Sequence, residues 1–197
     1  MQPLPLRVEE LRDALRGYLI GREIYVLETT SSTNDALSQR ACADTLPGLT
    51  VFAETQTAGR GQRGNVWEST ARQGLWFSAL LRPQIALAES AKLTTWAAGS
   101  VCEILGEFGL DTTLKAPNDV VVGGKKVAGV LVEMRAQPKA PHTAILGIGV
   151  NINQSPEDFS SAIRDLATSP AIILGRQIDR TELAIALLRR LNNTYRW

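Results

Sequence analysis

Residues 56–67, Gln-Thr-Ala-Gly-Arg-Gly-Gln-Arg-Gly-Asn-Val-Trp, place the tightest constraint on the fold. Three glycines, two arginines and a tryptophan follow one apolar run at residues 49–53 and precede another at 75–81. Gly59-x-Gly61-x-x-Gly64 has the spacing of a dinucleotide-binding turn, which needs a helix to open at the glycines. Here Asn65, Trp67, Glu68-Ser69-Thr70 and Gly74 follow, all poor helix material. The crossover helix is missing, and a nucleotide oxidoreductase becomes a remote reading. Neither a His-Arg-Asp nor an Asp-Phe-Gly segment occurs, nor a Gly-x-x-x-x-Gly-Lys-Ser/Thr phosphate loop. The glycine loop therefore joins two strands directly. Glycine lets backbone N–H groups approach a ligand, and arginine offers a fixed fork of donors, so such a loop suits closure over an anion. The competing reading is a flexible surface loop.

Composition narrows the classes of partner. A chain of 197 residues, 44% apolar, is long enough for one domain with a proper core. The net charge of +1 provides no broad basic field for nucleic acid, so anion binding has to be local. No apolar run approaches a membrane span, and the N-terminal residues lack the pattern of a signal peptide. Cys42 and Cys102 fall in expected helices and read as buried thiols in a reducing cytoplasm. His142 is the single histidine, which excludes a poly-histidine metal site and disfavours a Ser-His-Asp triad.

Periodicity predicts helices over 8–19, from Ser31-Ser32-Thr33-Asn34-Asp35 to about Ala43, over 89–108 and over 179–195. Leu93, Ala97, Val101, Leu105 and Phe108 form the stripe of the longest, with Gly109 as its stop. Asp179 and Glu182 are spaced like a capping box ahead of Ala184, Leu187, Leu188 and Leu191. Strands are expected at 23–28, 49–54, 75–82, 114–122, 125–135 and 143–150. Short connections predict an α+β fold: a mixed, largely antiparallel sheet with helices packed on one side.

A second polar segment lies at residues 115–129. Gly123-Gly124 is a two-residue hairpin signal, which pairs Val122 with Lys125, Val121 with Lys126 and Asp119 with Ala128. Asp119 and Lys126 then share a face as diagonal neighbours, whereas Lys125 points away. Pro117 marks an irregular strand start that frees the side chains of Asn118 and Asp119, and Gly129 admits a ligand or another backbone. The converging ammonium and carboxylate suit phosphate chemistry with or without a metal; an exposed cross-strand ion pair is the equal alternative. Ser32-Thr33-Asn34 makes a polar corner at a helix start, where plain capping is the simpler role. Residues 147–153, Gly-Ile-Gly-Val-Asn-Ile-Asn, end a buried strand with asparagines that can read a base or ribose, or simply form a turn.

Taken in order, these four segments resemble the catalytic domain of biotin protein ligases over roughly residues 20–195, within a single domain at 1–197. Those enzymes join biotin to ATP as biotinyl-5′-AMP, usually with Mg²⁺, and pass it to a lysine of a biotin carboxyl carrier protein. The resemblance implies that Ser32, Thr33, Asn34 and Gln56 bind the biotin head. It places Arg60, Gly61, Gln62, Lys126 and Gly129 around the rest of the biotin and its link to the adenylate, with Lys126 and Arg60 catalytic. Arg63, Trp67, Lys115, Asn118, Asp119 and Asn151 fall on the nucleotide side, and no metal ligand is singled out. Gln62 and Asn65 stand where many members carry arginine, and Ala116 where tryptophan is usual. The helix-turn-helix module of DNA-binding members and the small C-terminal β-barrel are both lacking, so DNA is not an expected partner, nor is a membrane, and weakened turnover is implied. A lipoate or octanoyl ligase or transferase shares the fold, but the polar head pocket suits a ureido ring better; a non-catalytic sensor of biotin or its adenylate is the rival of another class.

Overall fold

The computed structural model describes residues 3–42, 44–137 and 141–197. Its strands are β1 (Glu23–Thr30), β2 (Leu49–Gln56), β3 (Gly59–Arg60), β4 (Val66–Trp67), β5 (Gly74–Leu81), β6 (Thr112–Lys115), β7 (Asp119–Val122), β8 (Lys125–Arg135) and β9 (Thr143–Asn151). The helices are α1 (Val8–Ala14), α2 (Thr33–Arg40), α3 (Ser90–Glu107), α4 (Pro170–Leu174) and α5 (Arg180–Thr194). Seven strands form one sheet in the order β1-β2-β5-β9-β8-β7-β6, while β3 and β4 pair as a separate ribbon. Among the described strands of this sheet β1 and β2 run parallel, because α2 carries the chain back between them; the other neighbours are antiparallel. The expected mixed, largely antiparallel sheet is therefore present.

Alternation along the central strands splits the apolar side chains between two faces. Phe52, Leu75, Phe77, Ala79, Leu146, Ile148 and Val130 pack against α1, α3 and α5 in the main core. The intervening Val51, Leu80 and Ile145 meet Ala36 and Leu37 of α2 in a smaller cluster. Helices thus cover both faces, which corrects the one-sided packing expected from the short connections. The reason is the β1–β2 crossover, since a parallel pair needs a helix to lie across the sheet.

Other boundaries move for local reasons. The first helix stops at Ala14, well before Leu19, and α2 ends at Arg40; the expected end at Ala43 lies outside the described residues. Cys42 is consequently exposed, not buried, with its Sγ 3.2 Å from Thr45 Oγ1, and the hydrogen bond to Thr45 lowers its pKa. The expected strand 114–122 is two strands, β6 and β7, folded back at a turn containing a cis Ala116–Pro117 bond. Asp179 caps α5 by accepting from the N–H groups of Thr181 and Glu182.

The β7–β8 hairpin turns at Gly123-Gly124 as expected, both at positive φ, and Val122 and Val121 pair with Lys125 and Lys126. A bulge then shifts the register, so Val120 pairs with Ala128 and Asp119 with Gly129, not with Ala128. Val127 is the extra residue, and its fully buried side chain explains the insertion: Val127 and Ala128 both enter the core. Lys126 and Gly129, three apart, are thereby left on the opposite face together.

Candidate active site

That face carries a cavity between the start of α2, the β3–β4 ribbon and the ends of β8 and β9. All nine residues expected around biotin line it: Ser32, Thr33, Asn34, Gln56, Arg60, Gly61, Gln62, Lys126 and Gly129. The floor is nearly bare. A Cβ at Gly147 would lie 2.4 Å from Asn34 Oδ1, and one at Gly149 2.6 Å from the Trp67 indole, so both positions need glycine for these side chains to lie on the sheet.

The polar corner is a connected network. Ser78, buried on β5, donates to Asn34 Oδ1 at 2.5 Å and lies 2.8 Å from Thr33 Oγ1. Thr33 donates through its backbone N–H and hydroxyl to Gln56 Oε1, at 2.9 and 3.3 Å, and Gln56 donates on to Ser69. Ser32 occupies the N-cap of α2 without a side-chain capping bond, so simple capping does not account for it. Ser32, Thr33 and Asn34 are all almost fully buried, a fixed array of neutral donors and acceptors.

Positive charge enters from two sides. Arg60, on the ribbon, pairs with Asp35 at 2.5 Å and Glu133 at 3.0 Å; the Asp35 hydrogen bond and the Glu133 charge raise its pKa further, against the opposing effect of burial. Lys126 pairs with Asp119 at 2.6 Å and stands over the Trp67 ring, 5.4 Å from its centroid. Both cations are about one third exposed, so arriving anions can reach them.

The nucleotide set divides. Trp67 and Asn118 line the cavity, Asn118 donating to Asp119 at 2.8 Å. Asp119 is engaged by Lys126 beside it. Lys115 and Arg63 are exposed outside the lining, Arg63 at φ 57° in the ribbon turn. Asn151 is buried away from the cavity; it donates to Thr168 O at 3.1 Å and accepts from Gln154 at 3.1 Å. Of the divergent positions, Gln62 lines the cavity, whereas Asn65 and Ala116 are exposed.

Sequence reasoning missed Ser78, Glu133 and Asp35. Glu133 had a signal: it interrupts the apolar run of β8 on the face of Gly129 and Leu131, where a charge needs a partner. Ser78 inside the fully buried β5 is a similar clue.

The fold finds counterparts among known proteins. The chain matches the model of the Biotin/lipoate A/B protein ligase family over residues 26–151, and it belongs to that family. It is 36% identical over 196 residues to the bifunctional ligase/repressor BirA of Bacillus subtilis, across 99% of this chain and 60% of the relative. Against the biotin–[acetyl-CoA-carboxylase] ligase of Mycobacterium tuberculosis it is 36% identical over 197 residues, across 95% of this chain and 70% of the relative. The structure resembles that of a biotin protein ligase from Aquifex aeolicus in complex with biotin and ATP, with a TM-score of 0.73, 33% identity and coverage of 87% of this chain and 69% of the other. The chain spans about 60% of the length of the BirA relative. No helix among the described residues is long and apolar enough to cross a membrane.

Proposed function

We propose that residues 1–197 form the single catalytic domain of an ATP-dependent biotin–protein ligase. In the first step a biotin carboxylate oxygen attacks the α-phosphorus of ATP, forming biotinyl-5′-AMP and releasing pyrophosphate. In the second, a lysine amine of a biotin carboxyl carrier domain attacks the mixed-anhydride carbonyl and AMP leaves. The observation that carries this reading is one cavity with a neutral, buried polar corner (Ser32, Thr33, Asn34, Gln56) and two reachable cations, Arg60 and Lys126.

The chemistry asks for that division. A ureido ring is neutral and needs paired donors and acceptors, whereas the carboxylate and α-phosphate repel each other as they close. Lys126 and Arg60, aimed at the developing charge, offset that repulsion. Trp67 and Asn118 border the nucleotide side. The β3–β4 ribbon shields the anhydride from water. Mg²⁺ would enter with the ATP phosphates. The carboxylates at the cavity are each paired with a cation, and no cluster of three His, Cys, Asp or Glu occurs among the described residues. The setting assigned is the cytoplasm, where biotin, ATP and carboxylase carriers meet.

Mass spectrometry of the protein incubated with biotin, Mg·ATP and a carrier domain tests both steps together. The expected result is biotinyl-AMP and one biotin added to a carrier lysine. Pyrophosphate–ATP exchange that depends on lipoate and not on biotin would transfer the chain to the lipoate side of its family.

A further inference from the structure

Glu133 touches both halves of the cavity at once. It lies on β8 opposite Ile145, and its Oε2 accepts from Asn34 Nδ2 at 2.6 Å. Both its oxygens also accept from Arg60 Nη2, at 3.1 and 3.0 Å. Asn34 is 3% exposed, wedged between Ser78 and the bare Cα of Gly147. An ionised carboxylate can only accept. The Asn34 amide must therefore turn its NH₂ to Glu133, leaving its oxygen for Ser78 and for a ligand donor.

We propose that Glu133 is a positioning residue with two tasks: it fixes the polarity of Asn34 for a ureido N–H, and it holds Arg60, and with it the ribbon, across the cavity until an anion arrives. This rests on the ligase reading for the identity of the ligand. An incoming carboxylate or phosphate competes with Glu133 and Asp35 for the same guanidinium. The half-exposed setting of the Arg60–Glu133 pair makes that exchange inexpensive, because solvent already screens it. Head-group recognition and ribbon release thus share one carboxylate.

Glu133→Gln tests both tasks, since it keeps the reach but supplies an amide that donates or accepts and carries no charge. The expected result is a rise of about tenfold in the biotin Kd and KM. The kcat of biotin-dependent pyrophosphate–ATP exchange should stay within about twofold of wild type, a split that a general structural defect does not produce. Tryptic cleavage after Arg63 should be faster in the ligand-free variant and equal to wild type once biotin and ATP are bound. If Glu133→Gln does not fold, Glu133→Asp, which keeps the charge and loses the reach, carries the same comparison. Unchanged biotin affinity, or unchanged cleavage in the ligand-free state, overturns the proposal. A wild-type protein that binds no biotin defeats the ligase reading instead, and the ligand-free cleavage rates then still decide whether Glu133 holds the ribbon.

Discussion

The pairs Arg180–Glu54 and Arg60–Glu133 use the same two side chains at 2.8 and 3.0 Å, yet they do different work. Arg180 and Glu54 are 5% and 2% exposed; Arg60 and Glu133 are 38% and 40% exposed. In the buried pair Glu54 Oε1 accepts from the Leu6 N–H at 2.6 Å, Oε2 meets Arg180 as an ion pair, and Arg180 donates to the carbonyls of Gly74 and Leu4. It fastens the N-terminal segment and α5 to the sheet. The exposed pair is screened and replaceable. Burial, and not residue type, separates a structural clasp from a functional one.

Removing one partner of the buried pair should have the largest effect. Arg180→Met leaves Glu54 buried without its cation and should cost about 3–5 kcal/mol. In a chain of this size that lowers Tm by roughly 10 °C. The activity per folded molecule should not change. Differential scanning calorimetry with active-site titration checks both, and a Tm near wild type would erase the contrast.

Lys126→Ala should show the reverse pattern. Its pair with Asp119 is 35% and 25% exposed, so the stability loss should be about 1 kcal/mol or less. Adenylate formation should fall about 10²–10³-fold, because the lost charge acts most strongly at the transition state. Biotin-dependent pyrophosphate–ATP exchange measures this. Exchange at the wild-type rate would remove Lys126 from the chemistry and favour a non-catalytic sensor.

Gly149→Ala probes the floor of the exposed region. The new methyl would meet Trp67 Cε2 at 2.6 Å, and the indole must lift from the sheet. A rise of about tenfold in the KM for ATP is expected, with a shift in tryptophan fluorescence and a smaller change in Tm than for Arg180→Met. An unchanged KM would detach Trp67 from the nucleotide.

The same contrast explains how much was legible beforehand. Elements governed by local sequence were readable: α3 and α5, the strands β1, β2, β5, β8 and β9, and the Gly123-Gly124 turn. The family followed from ordered motifs, and the sheet class from the short connections. Packing on both faces was hidden because it depends on which strands become neighbours. The Asp119–Gly129 pairing was hidden because one buried side chain, Val127, decides the bulge. Lys126 still faced Asp119, since the bulge falls after Lys126 and leaves its side chain on the site face. Asn151, which the resemblance puts on the nucleotide side, is held by Gln154 and Thr168, contacts that a strand-end asparagine does not reveal in sequence. Glu133 was overlooked because its partners, Asn34 and Arg60, are 99 and 73 residues away.

The smallest expected effect lies at the solvent rim of the structural clasp, where Arg7 pairs with Asp179 at 2.9 Å. Burial pushes the Asp179 carboxyl up, but the Arg7 hydrogen bond, the Glu182 and Thr181 N–H groups and the Arg7 charge together outweigh it and hold the pKa below its usual 3.8. A depressed folded-state pKa contributes stability that is complete above the unfolded-state value and is lost as pH falls through the folded-state value. Asp179→Asn keeps a capping acceptor and removes the charge. Wild type should therefore be slightly more stable than the variant at pH 6, and the difference should vanish once the pH lies below the folded-state value. Because the carboxyl is 39% exposed, added salt should shrink the gap at pH 6 as well. A gap that persists at low pH would mean that the clasp holds by packing and capping alone, and that charge matters in this fold only where Glu54 is buried and where the ligand enters.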